Sequence, residues 1–289
     1  MKFWQMLTWM EPDQILEVGR FAEELGFEGV MMGDHGVYPR DIEASYPYSA
    51  DGKPPMAPDS DYPDCWVTLG ALGAVTTRLK TSVSIYVLPL RNVFEVARAT
   101  GTLALLSNNR FVLGAGLGWM KEEFDIYAVD FKTRGRRCDE MIDALHKLWA
   151  GGMVEHHGTL VDFPPLQIAP HPTRAVPIYM GGASPAALKR AATRADGWIG
   201  AGNTPEQVPD ILRELDRLRA EANRADRPFE TVIGLSTPPD LATFQRLYAE
   251  GMTAGVSYPF FYTCGPRSTL DAKKRAMEAF AKRFINRVN

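Results

Sequence analysis

The sequence predicts an α/β fold in which eight strand-and-helix units close into a (β/α)8 TIM barrel, and three observations predict it. Short apolar runs alternate with helix-periodic segments along most of the chain, the pattern of successive βαβ units on a parallel sheet. Eight such runs can be counted and a helix follows the last, as closure of the barrel requires. The 289 residues exceed the roughly 250 of a typical barrel, and the surplus falls in two segments that break the rhythm. One domain over residues 1–289 is expected, with long insertions after strand 2 and before strand 5.

In order, residues 3–7 read as the first strand. A helix over 12–25 places Ile15, Phe21, Ala22 and Leu25 at helical spacing and stops at Gly26. Residues 29–32 form the second strand. Residues 36–63 then carry Pro39, Pro47, Pro54, Pro55, Pro58 and Pro63 among four tyrosines, too polar and broken for a packed element. Because this segment follows strand 2, it belongs to the face where barrels keep their active sites. A helix over 64–76, a strand over 79–88, a helix over 93–106 and a strand over 110–115 complete half the barrel. A helix over 136–149 follows, and residues 153–177, punctuated by five prolines, are expected to be an excursion covering the barrel. Strands over 177–180, 197–199 and 232–235 are separated by helices beginning near Ser184 and Thr204. An eighth strand over 252–258 and a helix over 270–288 close the count.

Composition removes several function classes. Lys plus Arg (32) against Asp plus Glu (35) leaves a net charge of −3, so the basic footprint of a nucleic-acid binder is missing. Cys65, Cys138 and Cys264 lie far apart and read as reduced thiols, with neither a disulfide framework nor a CxxC site. Residues 1–10 run into Glu11-Pro12-Asp13 without a signal-peptide core, and no apolar stretch reaches membrane-span length. A cytoplasmic protein without a membrane or nucleic-acid partner is expected. His156-His157 has no third ligand at metal spacing, so it reads as a solvated turn and no metal site is expected. Arg134, Arg136 and Arg137 are expected to pair with Glu140 and Asp143. The basic run from Lys273 to Arg287 reads as the wet face of an amphipathic helix.

Three places can carry chemistry. Asp34 and His35 emerge together at the end of the second strand, where an imidazole that titrates near neutrality can move a proton and the carboxylate can orient a partner or simply cap a turn. Gly181-Gly182-Ala183-Ser184 precedes Pro185; a capping hydroxyl, a first-turn proline and open glycines make a helix start able to hold a phosphate, with Lys189 or Arg190 adding charge, or else a tight turn. Gly114-Ala115-Gly116-Leu117-Gly118-Trp119 lacks the GxGxxG dinucleotide spacing. It reads as a strand end kept clear of side chains so that a flat ring can lie against Gly116 and Gly118 beside Trp119, or as glycines for barrel packing alone.

Taken together, Gly33-Asp34-His35, Val87-Leu88-Pro89-Leu90-Arg91-Asn92, Leu113 to Trp119 with Glu122-Glu123-Phe124, Arg134-Gly135-Arg136-Arg137, and Gly181-Gly182 with Ala195-Asp196-Gly197-Trp198 resemble the bacterial luciferase-like monooxygenase superfamily. Within it the sequence is most similar to coenzyme F420-dependent oxidoreductases of actinobacteria, including Tyr46-Pro47-Tyr48 and Pro63-Asp64-Cys65-Trp66 at the flanks of the long loop. The resemblance covers nearly the whole chain. It implies a barrel that binds a flavin or the deazaflavin F420 at the C-terminal ends of its strands, often as a homodimer. It places the ring on a bulged third strand with a non-proline cis peptide at Ser84-Ile85, and the phosphate at Gly181, Gly182, Ala183 and Ser184. It makes Asp34 a cofactor contact and His35 a catalytic acid/base. Where the related sugar-phosphate dehydrogenases carry a catalytic glutamate this chain has Trp119, which argues against a sugar phosphate and leaves Glu122 and Glu123 as the nearby carboxylates. The expected function is hydride transfer between F420 and a small, moderately apolar organic substrate enclosed by loop 36–63. The alternatives are an FMN-dependent monooxygenase, a flavin or deazaflavin carrier without turnover and, more distantly, a metal-assisted hydrolase built on Asp34 and His35.

Overall fold

Eight parallel strands closed on one another form the centre of the computed structural model, which describes residues 1–49, 51–258, 264–265 and 267–288. The chain runs β1 (Lys2–Met6), α1 (Pro12–Glu24), β2 (Gly29–Met32), α2 (Cys65–Val75), β3 (Lys80–Val83), β4 (Tyr86–Val87), α3 (Val93–Leu106), β5 (Phe111–Gly116), α4 (Lys121–Ile126) and α5 (Arg134–Ala150). It continues through β6 (Val154–His157), β7 (Asp162–Leu166), β8 (Ile178–Gly181), α6 (Pro185–Arg194), β9 (Gly197–Asn203), α7 (Val208–Glu221), β10 (Glu230–Leu235), α8 (Leu241–Ala249), β11 (Ala254–Ser257) and α9 (Leu270–Phe284). Neighbours in the sheet follow the order β3-β2-β1-β11-β10-β9-β8-β5-β4, and pairing of β3 with β5 closes it. The first and last strands meet with Lys2 opposite Ala254, which is the TIM-barrel closure the alternation predicted.

Side chains alternate across each strand. Trp4, Met6, Met31, Val112, Tyr179, Ile199, Val232 and Val256 form one buried cluster inside the barrel. Phe3, Val30, Leu113, Ile178, Trp198 and Ile233 belong to the larger cluster shared with the helices. Helix starts are fixed locally: Asp64 accepts from the Val67 N–H, Asn92 from Phe94, Asp240 from Thr243 and Thr269 from Ala272, each satisfying an amide that the first helical turn leaves unpaired. Cys65 and Cys138 are buried, Cys264 is half-buried, and none forms a disulfide. Among the described residues no helix is long and apolar enough to cross a membrane.

Several expectations are corrected. The strand expected over 79–88 is two pieces, β3 and β4, parted by a cis Ser84–Ile85 peptide. Helices α4 and α8 were not read from the sequence. Residues 153–177 do not cover the barrel mouth. Their strands β6 and β7 pair antiparallel and lie against α5 and α3, with the Phe163 ring 5.2 Å from Phe94. His156 is accordingly buried and stacked on Phe163 rather than in a solvated turn, while His157 is exposed and bonded to Asp162. Among the described residues the arginines at the start of α5 form no close ion pair with Glu140 or Asp143, although the Arg136 charge still helps to lower the Glu140 pKa. Arg137 donates to the Pro89 carbonyl and Arg134 to that of Phe131, Glu140 accepts the Leu160 and Val161 amides, and Asp143 binds Arg194. Lys273 is fully buried beside Glu11 and Gln14, not on the wet face of α9.

Candidate functional site

At the C-terminal end of the barrel, Ile85 leaves the cis peptide and turns its side chain into the gap between β5 and β8. A Cβ on Gly116 would fall 1.7 Å from Ile85 Cδ1, and one on Gly181 would fall 2.7 Å from Ile85 Cγ2. A Cβ on Gly114 would fall 1.8 Å from the Val83 carbonyl oxygen. The clearance attributed to a flat ring is therefore used first by the chain itself, and it is Ile85, admitted by Gly116 and Gly181, that presents an apolar face. Gly118 has φ 76° with Val87 and Phe124 against it, a left-handed backbone that only glycine adopts without strain.

Asp34 and His35 follow β2 and diverge. The Asp34 carboxylate accepts the Val87 amide at 3.0 Å and two hydrogen bonds from Arg91 Nη2 at 2.8 and 2.9 Å. The Arg91 guanidinium also donates to Tyr127 Oη at 3.1 Å and lies over the rings of Tyr86 and Tyr127. Side-chain exposure is only 17% for Arg91 and 9% for Asp34, so this is a buried pair. Burial pushes the Asp34 carboxyl up from its usual range against the pull of Arg91 and the Val87 amide. Burial opposes the charge on Arg91, but Asp34, Tyr86 and the hydrogen bonds to Asp34 and Tyr127 together outweigh it and raise the guanidinium pKa further. Asp34 therefore ties strand ends β2 and β4 together through Val87 and Arg91.

His35 turns instead to α4. Its Nδ1 lies 3.1 Å from Glu123 Oε2, and Glu123 Oε1 accepts the Gly36 amide at 2.7 Å. Glu123 is 1% exposed. The imidazole is held edge-on by Tyr62 at 5.3 Å and by Trp119 at 6.0 Å between ring centroids. Asp34, His35, Tyr62, Trp66, Tyr86 and Arg91 line a cavity of about 400 Å³. The strand-end glycines do not line it: Gly116 and Gly181 meet Ile85, Gly114 the Val83 carbonyl, and Gly118 Val87 and Phe124, while Trp119 contacts His35.

Loop 36–63 closes over this face. Glu122 Oε1 accepts the amides of Glu43 and Ala44 at 2.8 and 3.0 Å, and Arg267 binds Asp59. Tyr46 meets Trp119 at 5.1 Å and Tyr48 at 5.4 Å, while Tyr48 lies against Gly202 at the end of β9. Burial and the Tyr48 phenol push the Tyr46 phenol up to about 12, and burial raises Tyr62. These hydroxyls stay neutral at physiological pH, so the tyrosines under the loop add no charge to that of the paired Asp34 and Arg91.

The 181–184 turn leads into α6. Gly182 has φ 104°, its carbonyl accepts from Trp198 Nε1 at 2.8 Å, and Ser184 caps the helix by accepting from the Ala187 amide. Ala183 and Ser184 are exposed. Arg190 adds no charge to this turn, because it is held by Asp139 and the Gly135 carbonyl. The residues present fit a flat ring with a phosphate tail: an apolar Ile85 face, a glycine turn at a helix start, and Asn203 at the end of β9, whose buried Oδ1 has no partner among the described residues. Arg91 stands in one of the motifs that carry the family resemblance but has no role assigned from it, and Asn203 has only its position after a barrel strand to draw attention to it.

A model of the family described as luciferase-like monooxygenase matches residues 2–241. An uncharacterized protein of Mycobacterium tuberculosis is 35% identical over 275 residues, 94% of this chain and 95% of that one. The F420-dependent glucose-6-phosphate dehydrogenase of Microbacterium testaceum is 30% identical over 236 residues, 79% of this chain and 66% of its own. Among solved structures, coenzyme F420-dependent tetrahydromethanopterin reductase from Methanopyrus kandleri superposes with a TM-score of 0.77 at 16% identity, covering 100% of this chain and 99% of that one.

Proposed function

Because this chain belongs to the luciferase-like monooxygenase family, we propose that it is an oxidoreductase that transfers a hydride between coenzyme F420 and a small organic substrate. The observation that carries the reading is His35, an imidazole fixed at the barrel mouth between Trp119 and Tyr62, with Nδ1 on a buried carboxylate and the ring on a cavity of about 400 Å³. That volume suits a small ligand. The likeness to a dehydrogenase named for F420 at 30% identity supports the deazaflavin over FMN.

Ile85, Gly116, Gly118, Trp119 and Asn203 would hold the ring, and Gly181, Gly182, Ala183 and Ser184 the phosphate. Bound there, the cofactor supplies the two-electron hydride chemistry. The chain does the rest. His35 gives or takes the proton that accompanies the hydride. Asp34 fixes the strand ends through Val87 and Arg91. Tyr46 and Tyr62 shield this face from water and favour an uncharged substrate. A homodimer belongs to the same proposal: α2 contains no charged residue and leaves Val67 74% exposed, and Leu106 on α3 is 72% exposed. A partner surface on this face suits its apolar character.

Screening reduced F420 with uncharged ketones, enones and imines, and following its oxidation, tests the reading. His35→Ala should keep cofactor binding and slow turnover by about 10² to 10⁴, the usual worth of a general acid or base. Unchanged turnover on a substrate the wild type reduces would remove His35 from the mechanism.

A further inference from the structure

Glu123 has no assigned part in the reading above, yet its carboxylate is among the most deeply buried charged groups of the barrel mouth, at 1% exposure. It is placed by α4 (Lys121–Ile126), whose neighbouring residue Phe124 is itself fully buried against Val87 and Leu90. Each oxygen has one task. Oε1 receives the Gly36 N–H at 2.7 Å and Oε2 faces His35 Nδ1 at 3.1 Å. The adjacent Glu122 points elsewhere, to the amides of Glu43 and Ala44. The two consecutive carboxylates thus divide the work, one holding the loop and the other holding the histidine.

A carboxylate opposite a ring nitrogen, with its other oxygen already engaged by an amide donor, can only accept there. We infer that Glu123 is a positioning residue that keeps the His35 proton on Nδ1, so that Nε2, which has no protein partner among the described residues, is the nitrogen that exchanges a proton with the substrate. The edge-on contacts of Tyr62 and Trp119 hold the plane of the ring but do not choose between its nitrogens; the carboxylate makes that choice. When Nε2 takes a proton the ring becomes an imidazolium, Nδ1–H stays on Glu123, and the positive charge forms beside a buried negative one. A buried acid that orients a histidine through Nδ1–H is worth a large factor in rate when its replacement inverts the tautomer.

This inference rests on the proposed role of His35 as acid/base, and its test separates the two. Glu123→Gln is the informative variant. Its amide oxygen still accepts the Gly36 N–H, which forces the NH₂ group toward Nδ1, so Nδ1 becomes an acceptor and the proton moves to Nε2. The measurement is ¹⁵N NMR of histidine-labelled full-length protein, with the His35 signals assigned by their loss in His35→Ala. The wild type should show the His35 proton on Nδ1 at neutral pH, the variant should show it on Nε2, and turnover by the variant should fall by at least about 10-fold, with about 10⁴-fold the scale reached when an acid-to-amide change inverts a catalytic histidine's tautomer. A wild-type His35 with the proton on Nε2, or with no preference, overturns the inference without any variant. So does an unchanged tautomer in Glu123→Gln. If the tautomers behave as stated while His35→Ala turns over normally, the positioning by Glu123 stands and the catalytic role of His35 falls.

Discussion

Replacing Arg91 by Met removes both charge-assisted hydrogen bonds that Asp34 accepts from the guanidinium, at 2.8 and 2.9 Å, and leaves its carboxylate with the Val87 amide alone. Its side chain is only 9% exposed, so solvation replaces the lost bonds poorly, and the Glu123 charge adds repulsion. Hydrogen bonds to charged groups are worth roughly 1.5 to 3 kcal/mol each, and breaking one side of a buried pair costs about 3 to 5 kcal/mol. A loss of about 3 to 5 kcal/mol is expected for Arg91→Met at about pH 8, read from urea unfolding followed by circular dichroism. The sign of the pH dependence follows from Asp34. Burial already raises its carboxyl, and removing Arg91 removes the strongest opposing pull, so the folded-state pKa rises further above the unfolded value. A group shifted in that direction favours the folded state at pH below its unfolded pKa, and that contribution is lost as pH rises through the folded pKa. The deficit of the variant should therefore shrink on acidification, and Asp34→Asn in the Arg91→Met background should recover part of it at about pH 8. A deficit below about 1 kcal/mol, within the range of an exposed pair, or one that grows on acidification, would refute the reasoning.

The glycines of β5 make a paired prediction. Gly114→Ala drives a Cβ to 1.8 Å from the Val83 carbonyl, a backbone atom, whereas Gly116→Ala meets a side chain alone, Ile85, with its Cδ1 at 1.7 Å and Cγ1 at 3.0 Å. Gly114→Ala should cost about 1 to 3 kcal/mol or more in urea unfolding, and Gly116→Ala should cost less but weaken cofactor binding in a fluorescence titration; equal stabilities would contradict the distinction. Glu122→Ala frees the Glu43 and Ala44 amides. Discounted for partial solvent access, about 1 kcal/mol of loop closure is lost, and limited proteolysis within 36–63 should quicken roughly fivefold. An unchanged cleavage rate would mean that the loop is held elsewhere.

The barrel was legible because strand and helix periods differ and each unit declares itself locally. Residues 29–32 and 93–106 match β2 and α3 residue for residue. The break at Ser84–Ile85 is legible only through the family resemblance, since residues 79–88 read as one strand. Helix α4 has six residues, too few to display a period. Residues one apart on a helix project about 100° apart, so the sequence could name Glu122 and Glu123 without saying which would meet His35; the structure gives His35 to Glu123. Arg91 lies 57 residues from Asp34, and an ion pair between separate units leaves no local trace. Lys273 shows the converse limit, because a helical pattern cannot distinguish a lysine in water from one that Glu11 and Gln14 hold in the protein.

Titration of the purified apoprotein with oxidised F420 and, separately, with FMN, each followed by fluorescence to a dissociation constant, tests the central claim most directly. F420 should bind with the lower constant, and Ile85→Asp should weaken it by at least about tenfold, a change of 1.4 kcal/mol. Tight binding of FMN with no measurable binding of F420 would contradict the account and turn the site to oxygen-activating flavin chemistry.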